Sequence, residues 1–401
     1  MLHSPLKKHL LVASIIISFL ISSSFDFWGF YGHRLINNTA VFTLPVELLP
    51  LYKSNIDYVT EHSIDPDKRR YASPLEAIRH YIDIDHCGEW PFEEVPRKLS
   101  DAVYRYSSLH ILRKDNRDTL KTWKGSFNWE KLLTSTQCKR IKLELGQQLI
   151  SIQENGFIQL PVNYIPEEYK SPGVELILTE YFTEQGILPY HLVSYQNRLT
   201  NAFKKQDWAL VLRISAELGH YIADANVPLH TTVNYNGQLT GQDGIHAFWE
   251  SRIPELFAEG NYNLFVDRAE LIEDIPAWFW NMVLESHKLV DKVLEEERRL
   301  SQEFDRDKQY CYEQRGTSTS RLACKEFAAA YQEALNGMVE TQMRKAIQAV
   351  GSAWYTAWVN AGSPVIEGAP TGISWETDAV ENLDSLLIKN RDRIHELNDE
   401  Y

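Results

Sequence analysis

The chain has 401 residues, of which 41 are Lys or Arg and 55 are Asp or Glu, so its formal charge at pH 7 is −14. This acidic balance argues against broad coating of nucleic acid. Hydrophobic residues make up 44% of the chain and charged residues 24%, which is typical of globular proteins and excludes wholesale disorder. The four cysteines contain no Cys-x-x-Cys pair, which excludes a thiolate zinc knuckle and a thioredoxin-type motif. A metal ion must therefore be held by histidine and carboxylate side chains.

The N-terminal residues have the pattern of an export signal. Two lysines precede a mostly apolar run over residues 10–21, and three serines follow it. Because this run is shorter than the roughly 20 residues that span a bilayer, we expect residues 1–27 to be a cleaved signal peptide and the protein to be secreted or periplasmic. An uncleaved membrane anchor is the alternative. Export would permit a disulfide between Cys311 and Cys324, although two free buried thiols fit the sequence equally well.

Beyond the predicted signal, the hydrophobic periodicity is mostly helical. Residues 196–225 and 326–359 place apolar side chains three and four positions apart, as a helix facing a core does. Strict alternation is scarce, and residues 174–178 are either a strand or an extended segment. The predicted fold class is all-α. Residues 97–180 are lysine-rich and lack histidine motifs, so we expect an insertion of added helices there and a C-terminal extension over 361–401.

One stretch carries a dense set of histidine and acidic residues. His220 and Asp224 are four apart, so one face of a helix presents both, and His230 follows the predicted end of that helix. His246 and Glu250 repeat the four-residue spacing on the next predicted helix. Imidazole and carboxylate are ligands that zinc accepts when thiolates are absent, and a site with three protein ligands keeps a position for water. The spacing therefore predicts a metal site; two helices whose side chains merely pair by hydrogen bonds are the alternative.

Two upstream segments add candidate ligands. His80 lies in the run RHYIDID, and Asp65 lies fifteen residues before it in EHSIDPDKRR. Near the predicted signal boundary, WGFYGHR places Trp28 and His33 five residues apart. Each segment alone is a weak indication, because a single histidine beside an aromatic residue more often packs in a core or lies at the surface.

Together these residues resemble the superfamily of zinc-dependent phospholipases C and the single-strand-specific zinc nucleases of fungi and plants. The resemblance covers residues 28–360 and implies a multi-helix single domain with three zinc ions in a cleft. The gap between His80 and His220 is longer than the family usually shows, which fits an insertion at residues 97–180. The motifs that carry the resemblance are Trp28-Gly29 with His33, Asp65, His80-Tyr81-Ile82-Asp83, His220-x3-Asp224-x5-His230 and His246-x3-Glu250.

The resemblance also implies a ligand set for each zinc ion. These sets are Asp65, His80, His220 and Asp224 for the first ion, His230, His246 and Glu250 for the second, and Trp28 and His33 for the third, with Asp224 as a bridge to the first. Asp65 and Asp224 would be the catalytic carboxylates. Metal ions held close together by a shared carboxylate activate water at neutral pH. No side-chain nucleophile is needed, and the sequence has neither a Gly-x-Ser-x-Gly elbow nor a Gly-x4-Gly-Lys phosphate loop.

The third site depends on where the chain is cut. An amide nitrogen is a poor ligand, so chelation by the amine of Trp28 requires cleavage directly before it, although Phe27 is large for a signal-peptidase site. Cleavage after Ser24 is the alternative, in which case Asp26 would supply a carboxylate in place of the amine.

The sequence leaves the substrate class open. Tyr81 and Asp83 stand where the nucleases of the family place a base-stacking aromatic and a base-binding acid, which favours nucleotides. Glu250 stands where the phospholipases carry Glu and the nucleases Asp, and the charge of −14 exerts no attraction on a polynucleotide, which favours a phospholipid. Lys68 or Arg69 could contact a phosphate, although isolated basic residues are more often solvated. The expected partner is a phosphodiester substrate, either phospholipid or single-stranded nucleic acid, and no stable protein partner is evident.

A non-catalytic, zinc-stabilised binding module is the alternative to an enzyme. Closed structural zinc sites usually fill all four positions with protein ligands, whereas His230, His246 and Glu250 supply three. The sequence therefore favours a hydrolase of phosphodiesters, with three zinc ions as its cofactors.

Overall fold

A computed structural model of the protein describes residues 29–70, 72–147, 157–315 and 318–372. The predicted signal peptide, Trp28 and most of the predicted C-terminal extension lie outside the described residues. The fold is mostly helical, as the hydrophobic periodicity predicts. The helices are α1 (Phe30–Ala40), α2 (Leu49–Ser54), α3 (Ile56–Glu61), α4 (Asp65–Arg70), α5 (Pro74–Ala77), α6 (Leu99–Tyr106), α7 (Ser126–Trp129), α8 (Ser135–Gln147), α9 (Leu188–Lys205), α10 (Trp208–Ala225), α11 (Ile245–Ala247), α12 (Ile253–Asn261), α13 (Ile275–His287), α14 (Val290–Glu303), α15 (Arg306–Gln309), α16 (Lys325–Ala334) and α17 (Met338–Asn360).

The inserted region contains an antiparallel sheet, so the expectation of added helices alone is wrong. Its strand order is β2-β1-β4-β3, with β1 at Ser108–Arg113, β2 at Thr119–Lys124, β3 at Phe157–Leu160 and β4 at Val174–Thr179. Residues 174–178 are thus part of a strand. Leu109, Leu176 and Leu178 are fully buried or nearly so on one face of the sheet. Each strand is only four to six residues long, so its alternation is too short to stand out from the sequence around it.

A second antiparallel pair, β5 (Tyr310–Arg315) and β6 (Ser318–Ala323), is closed by a disulfide. The bond joins Cys311 and Cys324, so of the two states that the sequence left open, the structure has the disulfide. Cys87 and Cys138 are free thiols.

This hairpin fixes Arg252, which lies near the predicted ligands of the second zinc site. Nε of Arg252 donates to the carbonyl oxygen of Ala323 at 3.1 Å, and its guanidinium pairs with Glu313 on β5. Arg252 is 3% exposed, so both contacts are made away from bulk water. Because Glu250 is only two residues away, the hairpin helps to hold the backbone that carries it.

Helices α1, α9, α10 and α17 pack against one another at the centre of the molecule. The ring of Trp354 on α17 is fully buried and stacks on Tyr52, and its Nε1 donates to the carbonyl oxygen of Ser215 on α10 at 3.0 Å. Each of the two long segments that the sequence predicts to be helical forms two helices rather than one. Residues 196–225 are interrupted at Gln206, which adopts a left-handed conformation, and residues 326–359 at Gly337, with φ of 74°.

A close approach between α1 and α10 depends on Gly219. A Cβ at this position would lie 2.0 Å from Oδ1 of Asn37 on α1. Asn37 is fully buried and cannot turn aside, because its Nδ2 donates to the carbonyl oxygens of Val59 and Ala216. Only glycine at 219 therefore allows the two helices to meet at this distance.

Residues 361–372 lie against the helical core. Nδ2 of Asn55 donates to the carbonyl oxygen of Pro370 at 2.8 Å, and Nε1 of Trp208 donates to that of Glu367 at 3.2 Å. Within the ranges given above, no helix is both long enough and apolar enough to cross a membrane.

Candidate metal centre

Three buried side chains converge at the C-terminal half of α10. Nε2 of His220 lies 3.3 Å from Oδ2 of Asp224, as expected for two residues on one helical face. Nδ1 of His80 lies 3.0 Å from each of these atoms, and all three residues are at most 1% exposed. Zinc with bonds of 2.0–2.1 Å to nitrogen places tetrahedral ligand atoms about 3.3 Å apart. The three donor atoms are therefore spaced as ligands of one metal ion would be.

Asp67, two residues after the aspartate that the family resemblance implied, lies beside this cluster and forms a ligand group with His33 and His220. Oδ1 of Asp67 lies 3.9 Å from the facing nitrogens of both histidines. Asp65 belongs to none of the ligand clusters that the described residues form, because its carboxylate contacts His62 and Lys68 instead. Residues two apart on a helix point to nearly opposite sides, so α4 directs only one of the two aspartates to the cluster. Of the two aspartates, Asp67 lies beside the histidines of the first cluster, and the expectation that Asp65 is a ligand and catalytic carboxylate stays a prediction.

A second cluster joins His230, His246 and Glu250, as the resemblance implied. Nε2 of His246 lies 3.0 Å from Nε2 of His230 and 2.7 Å from Oε2 of Glu250. Nδ1 of His230 donates to the carbonyl oxygen of His80 at 2.6 Å, which directs its Nε2 to the cluster. Glu250 lies on a π-helical segment, Phe248–Arg252, and such segments occur frequently at functional sites.

His33 connects the two clusters. Its Nε2 lies 3.6 Å from Oδ1 of Asp224 and 3.6 Å from Oε1 of Glu250. Its ring stacks on that of His220 with centroids 3.9 Å apart, an approach that Gly219 makes possible. Asp224 is therefore shared between two clusters, as the resemblance implied. Glu250 is shared as well, which was not expected from the sequence.

Trp28, the remaining implied ligand, lies outside the described residues, and its role stays a prediction. Gly29 follows it directly and lies beside the site: a Cβ on Gly29 would be 3.7 Å from Oδ2 of Asp67 and 4.0 Å from Oε1 of Glu250. The chain therefore enters the described structure at the edge of the cluster that contains His33.

Burial sets the protonation of the two innermost histidines. It lowers the pKa of His80 and of His220 well below the ordinary value, with smaller contributions from neighbouring positive charges. Both rings are consequently neutral at pH 7. A neutral imidazole presents a lone pair to a metal ion, whereas an imidazolium presents none.

The pKa values of two acidic residues of the site, Asp224 and Glu250, are shifted in opposite directions. Burial raises the pKa of Asp224 to about 7, against the charges of His230 and His33. Burial also acts to raise the pKa of Glu250, but the charge and hydrogen bond of His230 outweigh it and hold the value well below the ordinary range. Burial lowers the pKa of His230, yet Asp224 and Glu250 together raise it to about 9. Without metal, the site thus holds protons that a cation would displace.

The side chains fit a metal ion on three grounds. Oδ1 of Asp224 is buried with no hydrogen-bond partner among the described residues, which is costly for a carboxylate oxygen unless a cation neutralises it. Four imidazole nitrogens stand in close pairs, at 3.0 Å in each case, with their lone pairs convergent. The donors are nitrogen and oxygen without sulfur, a set that suits zinc in sites with an open position.

The two predicted base-binding residues lie directly after His80 and contact the chain that follows the insertion. The hydroxyl of Tyr81 donates to the carbonyl oxygen of Glu184 at 3.1 Å, and the backbone N–H of Asp83 donates to that of Gln185 at 2.6 Å. Burial and the neighbouring Asp85 raise the pKa of Asp83 to about 7. Its carboxyl group can therefore donate or accept a hydrogen bond near neutral pH.

The two basic residues considered for phosphate binding are already paired. Nζ of Lys68 lies 2.9 Å from Oδ1 of Asp65. Both terminal nitrogens of Arg69 donate to the carboxylate of Glu217, each at 3.0 Å. A phosphate would therefore compete with a carboxylate for each of these side chains, and their role in phosphate binding stays a prediction.

Arg70 is a basic residue whose charge acts on the clustered histidines, and the sequence analysis did not single it out. Its Nη2 lies 3.6 Å from Oδ1 of Asp67, and its charge contributes to the lowered pKa of His80, His220 and His246. Asp67 and Arg70 are three apart on α4, so they share a face once the helix is known. The sequence did not predict where this short helix begins, and so did not predict which of its residues share a face.

No protein-family model matches the chain, and no curated protein matches it in sequence. The resemblance to zinc phospholipases C and nucleases therefore rests on the motif residues of the sequence.

Proposed function

We propose that the protein is a zinc-dependent hydrolase of phosphodiesters. The observation that carries this proposal is that four overlapping ligand groups join into one site, because they share His33, His220, Asp224 and Glu250. Structural zinc sites are usually single and closed by four protein ligands, whereas sites with adjacent metal positions are typical of phosphoester hydrolysis. The disulfide between Cys311 and Cys324 supports function outside the cytoplasm.

The residues divide into three ligand sets. The first ion would be held by His80, His220 and Asp224, with Asp67 beside them, the second by His230, His246 and Glu250, and the third by His33 with Asp224 and Glu250. When bound, zinc would lower the pKa of water from 15.7 to about 7 and neutralise phosphoryl oxygens. Asp224 and Glu250 would hold the metal positions together, because each belongs to two ligand groups.

Residues next to the ligands would orient the substrate. The guanidinium of Arg70, which lies 3.6 Å from Asp67, would donate hydrogen bonds to a non-bridging phosphoryl oxygen. The carboxyl of Asp83, with a pKa of about 7, would bind a polar group attached to the phosphate, such as a base edge or a headgroup. The backbone contacts to Gln185 fix the segment that carries Asp83, so the loop after the insertion shapes this part of the site.

The direct test compares three substrates on one preparation. Purified full-length protein loaded with zinc is assayed against single-stranded DNA, RNA and phosphatidylcholine, each with and without a chelator. The proposal predicts hydrolysis of at least one substrate and its loss on chelation. Zinc binding without hydrolysis of any of them would favour the non-catalytic binding module instead.

A further inference from the structure

A buried carboxylate lies on the Nε2 side of the His80 ring. Glu76 is 3% exposed and precedes His80 by four residues. Its Oε1 lies 4.0 Å from Nε2 of His80, whereas Nδ1 of the same ring lies 3.0 Å from His220 and from Asp224. Nε2 of His80 is buried, with no hydrogen-bond partner in the part of the chain that the structure describes. The two ring nitrogens thus lie near different groups, Nδ1 near the other candidate ligands and Nε2 near a carboxylate.

Three donors hold the carboxylate of Glu76 in place. Its Oε1 accepts a hydrogen bond from the hydroxyl of Tyr221, which is fully buried and makes an edge contact with the ring of His80. Its Oε2 accepts hydrogen bonds from Nη1 of Arg79 at 2.6 Å and from Nε of Arg69 at 3.5 Å. With both oxygens engaged, the carboxylate keeps one position relative to the imidazole.

Arg69 connects Glu76 to a second buried carboxylate, that of Glu217. Both terminal nitrogens of Arg69 donate to Glu217, each at 3.0 Å, and the hydroxyl of Tyr195 on α9 donates to the same carboxylate at 2.6 Å. Glu217 is 4% exposed and lies three residues before His220. Since Arg69 lies on α4, Glu76 on α5 and Glu217 on α10, these contacts join the three helices that surround the first cluster.

Stability alone does not account for this buried network. Taking charged groups out of water costs free energy that their pairing roughly offsets, and apolar side chains of similar volume often serve a core equally well. A carboxylate beside a metal-binding imidazole has a different effect, because it fixes the orientation of the ring and the nitrogen that carries the proton. A neutral imidazole has one N–H, so a proton on Nε2 leaves the lone pair of Nδ1 to a metal ion.

We propose that Glu76 is a positioning residue for metal binding at the first cluster. Its negative charge favours the proton of His80 on Nε2 and so keeps the lone pair of Nδ1 between His220 and Asp224. At 4.0 Å this interaction is electrostatic rather than a hydrogen bond. The effect extends to the second cluster, because the carbonyl oxygen of His80 accepts the hydrogen bond of Nδ1 of His230. The inference rests on the proposed function for the metal ion, but not for hydrolysis.

Two measurements test the role of Glu76. The tautomer of His80 is read from the nitrogen chemical shifts of metal-free, full-length protein with isotope-labelled histidine, and His80→Asn identifies the signals. Zinc affinity is measured by competition with a chromophoric chelator. Glu76→Gln removes the charge at nearly constant shape, and Glu76→Asp keeps it. Glu297→Gln is the control, because Glu297 is 4% exposed and pairs with Gln242 and Ser301 outside the ligand clusters.

We expect His80 to carry its proton on Nε2 in the wild type, in Glu76→Asp and in Glu297→Gln, and to show both tautomers in Glu76→Gln. Glu76→Gln should also bind one zinc ion about 10–100-fold more weakly, and Glu76→Asp should recover most of that loss. If Glu76→Gln does not fold, Tyr221→Phe, which removes one hydrogen bond to Glu76, should change both measurements in the same direction by a smaller amount.

An unchanged tautomer in the folded variants, or equal zinc affinity of Glu76→Gln and Glu297→Gln, would overturn the inference. A purely structural role would lower the stability of Glu76→Gln in chemical denaturation and leave the tautomer of His80 unchanged. Neither measurement depends on turnover. Zinc binding without hydrolysis would therefore refute the proposed function alone, and an active protein whose zinc affinity is insensitive to Glu76 would refute the positioning role alone.

Discussion

Asp67 and Asp65 lie on one short helix and differ in what their carboxylates contact. Asp67 faces two histidines of the first cluster, whereas Asp65 pairs with His62 and Lys68. The two positions therefore offer a matched comparison of a ligand with its non-ligand neighbour.

Replacing each aspartate by asparagine keeps its shape and removes its charge. Asp67→Asn should lower phosphodiester turnover by at least about 100-fold and weaken zinc binding, because it removes an anionic ligand. Asp65→Asn should retain most of the turnover. Steady-state rates and zinc contents of the two variants are measured. A larger loss of turnover and zinc in Asp65→Asn than in Asp67→Asn would indicate that Asp65 is the ligand.

Gly219 controls how closely His33 approaches His220. A methyl group there would lie 2.0 Å from the fixed side chain of Asn37, so Gly219→Ala should lower the free energy of unfolding by about 1–3 kcal/mol and reduce zinc affinity. Gly260→Ala is the control, because nothing lies within 4 Å of a Cβ at that exposed helical position, and it should be neutral or stabilising. Chemical denaturation of both variants tests this, and equal stability would contradict the packing argument.

Among the elements, those that carry the site were the most predictable. The four-residue spacings of His220 with Asp224 and of His246 with Glu250 need only a helix to bring each pair together, and the structure has those pairs on helical turns. The face of α4 was not predictable, because a six-residue helix has too few apolar residues to show which side is buried.

The sheet in the insertion could not be predicted from the sequence. Its strands pair residues as distant as Ser108 and Thr179, and such long-range pairing leaves no local pattern. The end of α9 at Gln206, within residues 196–225, was not predictable either, because the apolar stripe continues on both sides of it. Tertiary packing, rather than local preference, decides both features.

The β5–β6 hairpin gives a prediction on stability. Its disulfide closes a loop with a sequence separation of 13, for which chain entropy gives about 3 kcal/mol. Cys311→Ser/Cys324→Ser should therefore unfold at lower denaturant concentration by about 2–3 kcal/mol, whereas Cys138→Ser, which changes a free thiol, should differ little. An unchanged midpoint in the double variant would show that the strand pairing alone holds the hairpin.

For the molecule as a whole, protons and zinc compete for one site. The pKa of Asp224 is raised to about 7 and that of His230 to about 9, so below pH 7 both residues hold protons in the metal-free protein. Both protons must leave when zinc binds, so zinc affinity should rise with pH, and more protons should be released at pH 6 than at pH 8. Calorimetry in buffers of different ionisation enthalpy measures this release, and equal release at the two pH values would contradict it.

Phosphodiester turnover during stepwise addition of zinc to metal-free protein tests whether these clusters form one hydrolytic metal centre. We expect turnover to rise as the ligand clusters fill, to reach a plateau by about three equivalents of zinc, and to be abolished in Asp224→Ala, which removes a carboxylate shared by two clusters. Zinc that binds to saturation with no turnover of DNA, RNA or phospholipid would contradict it.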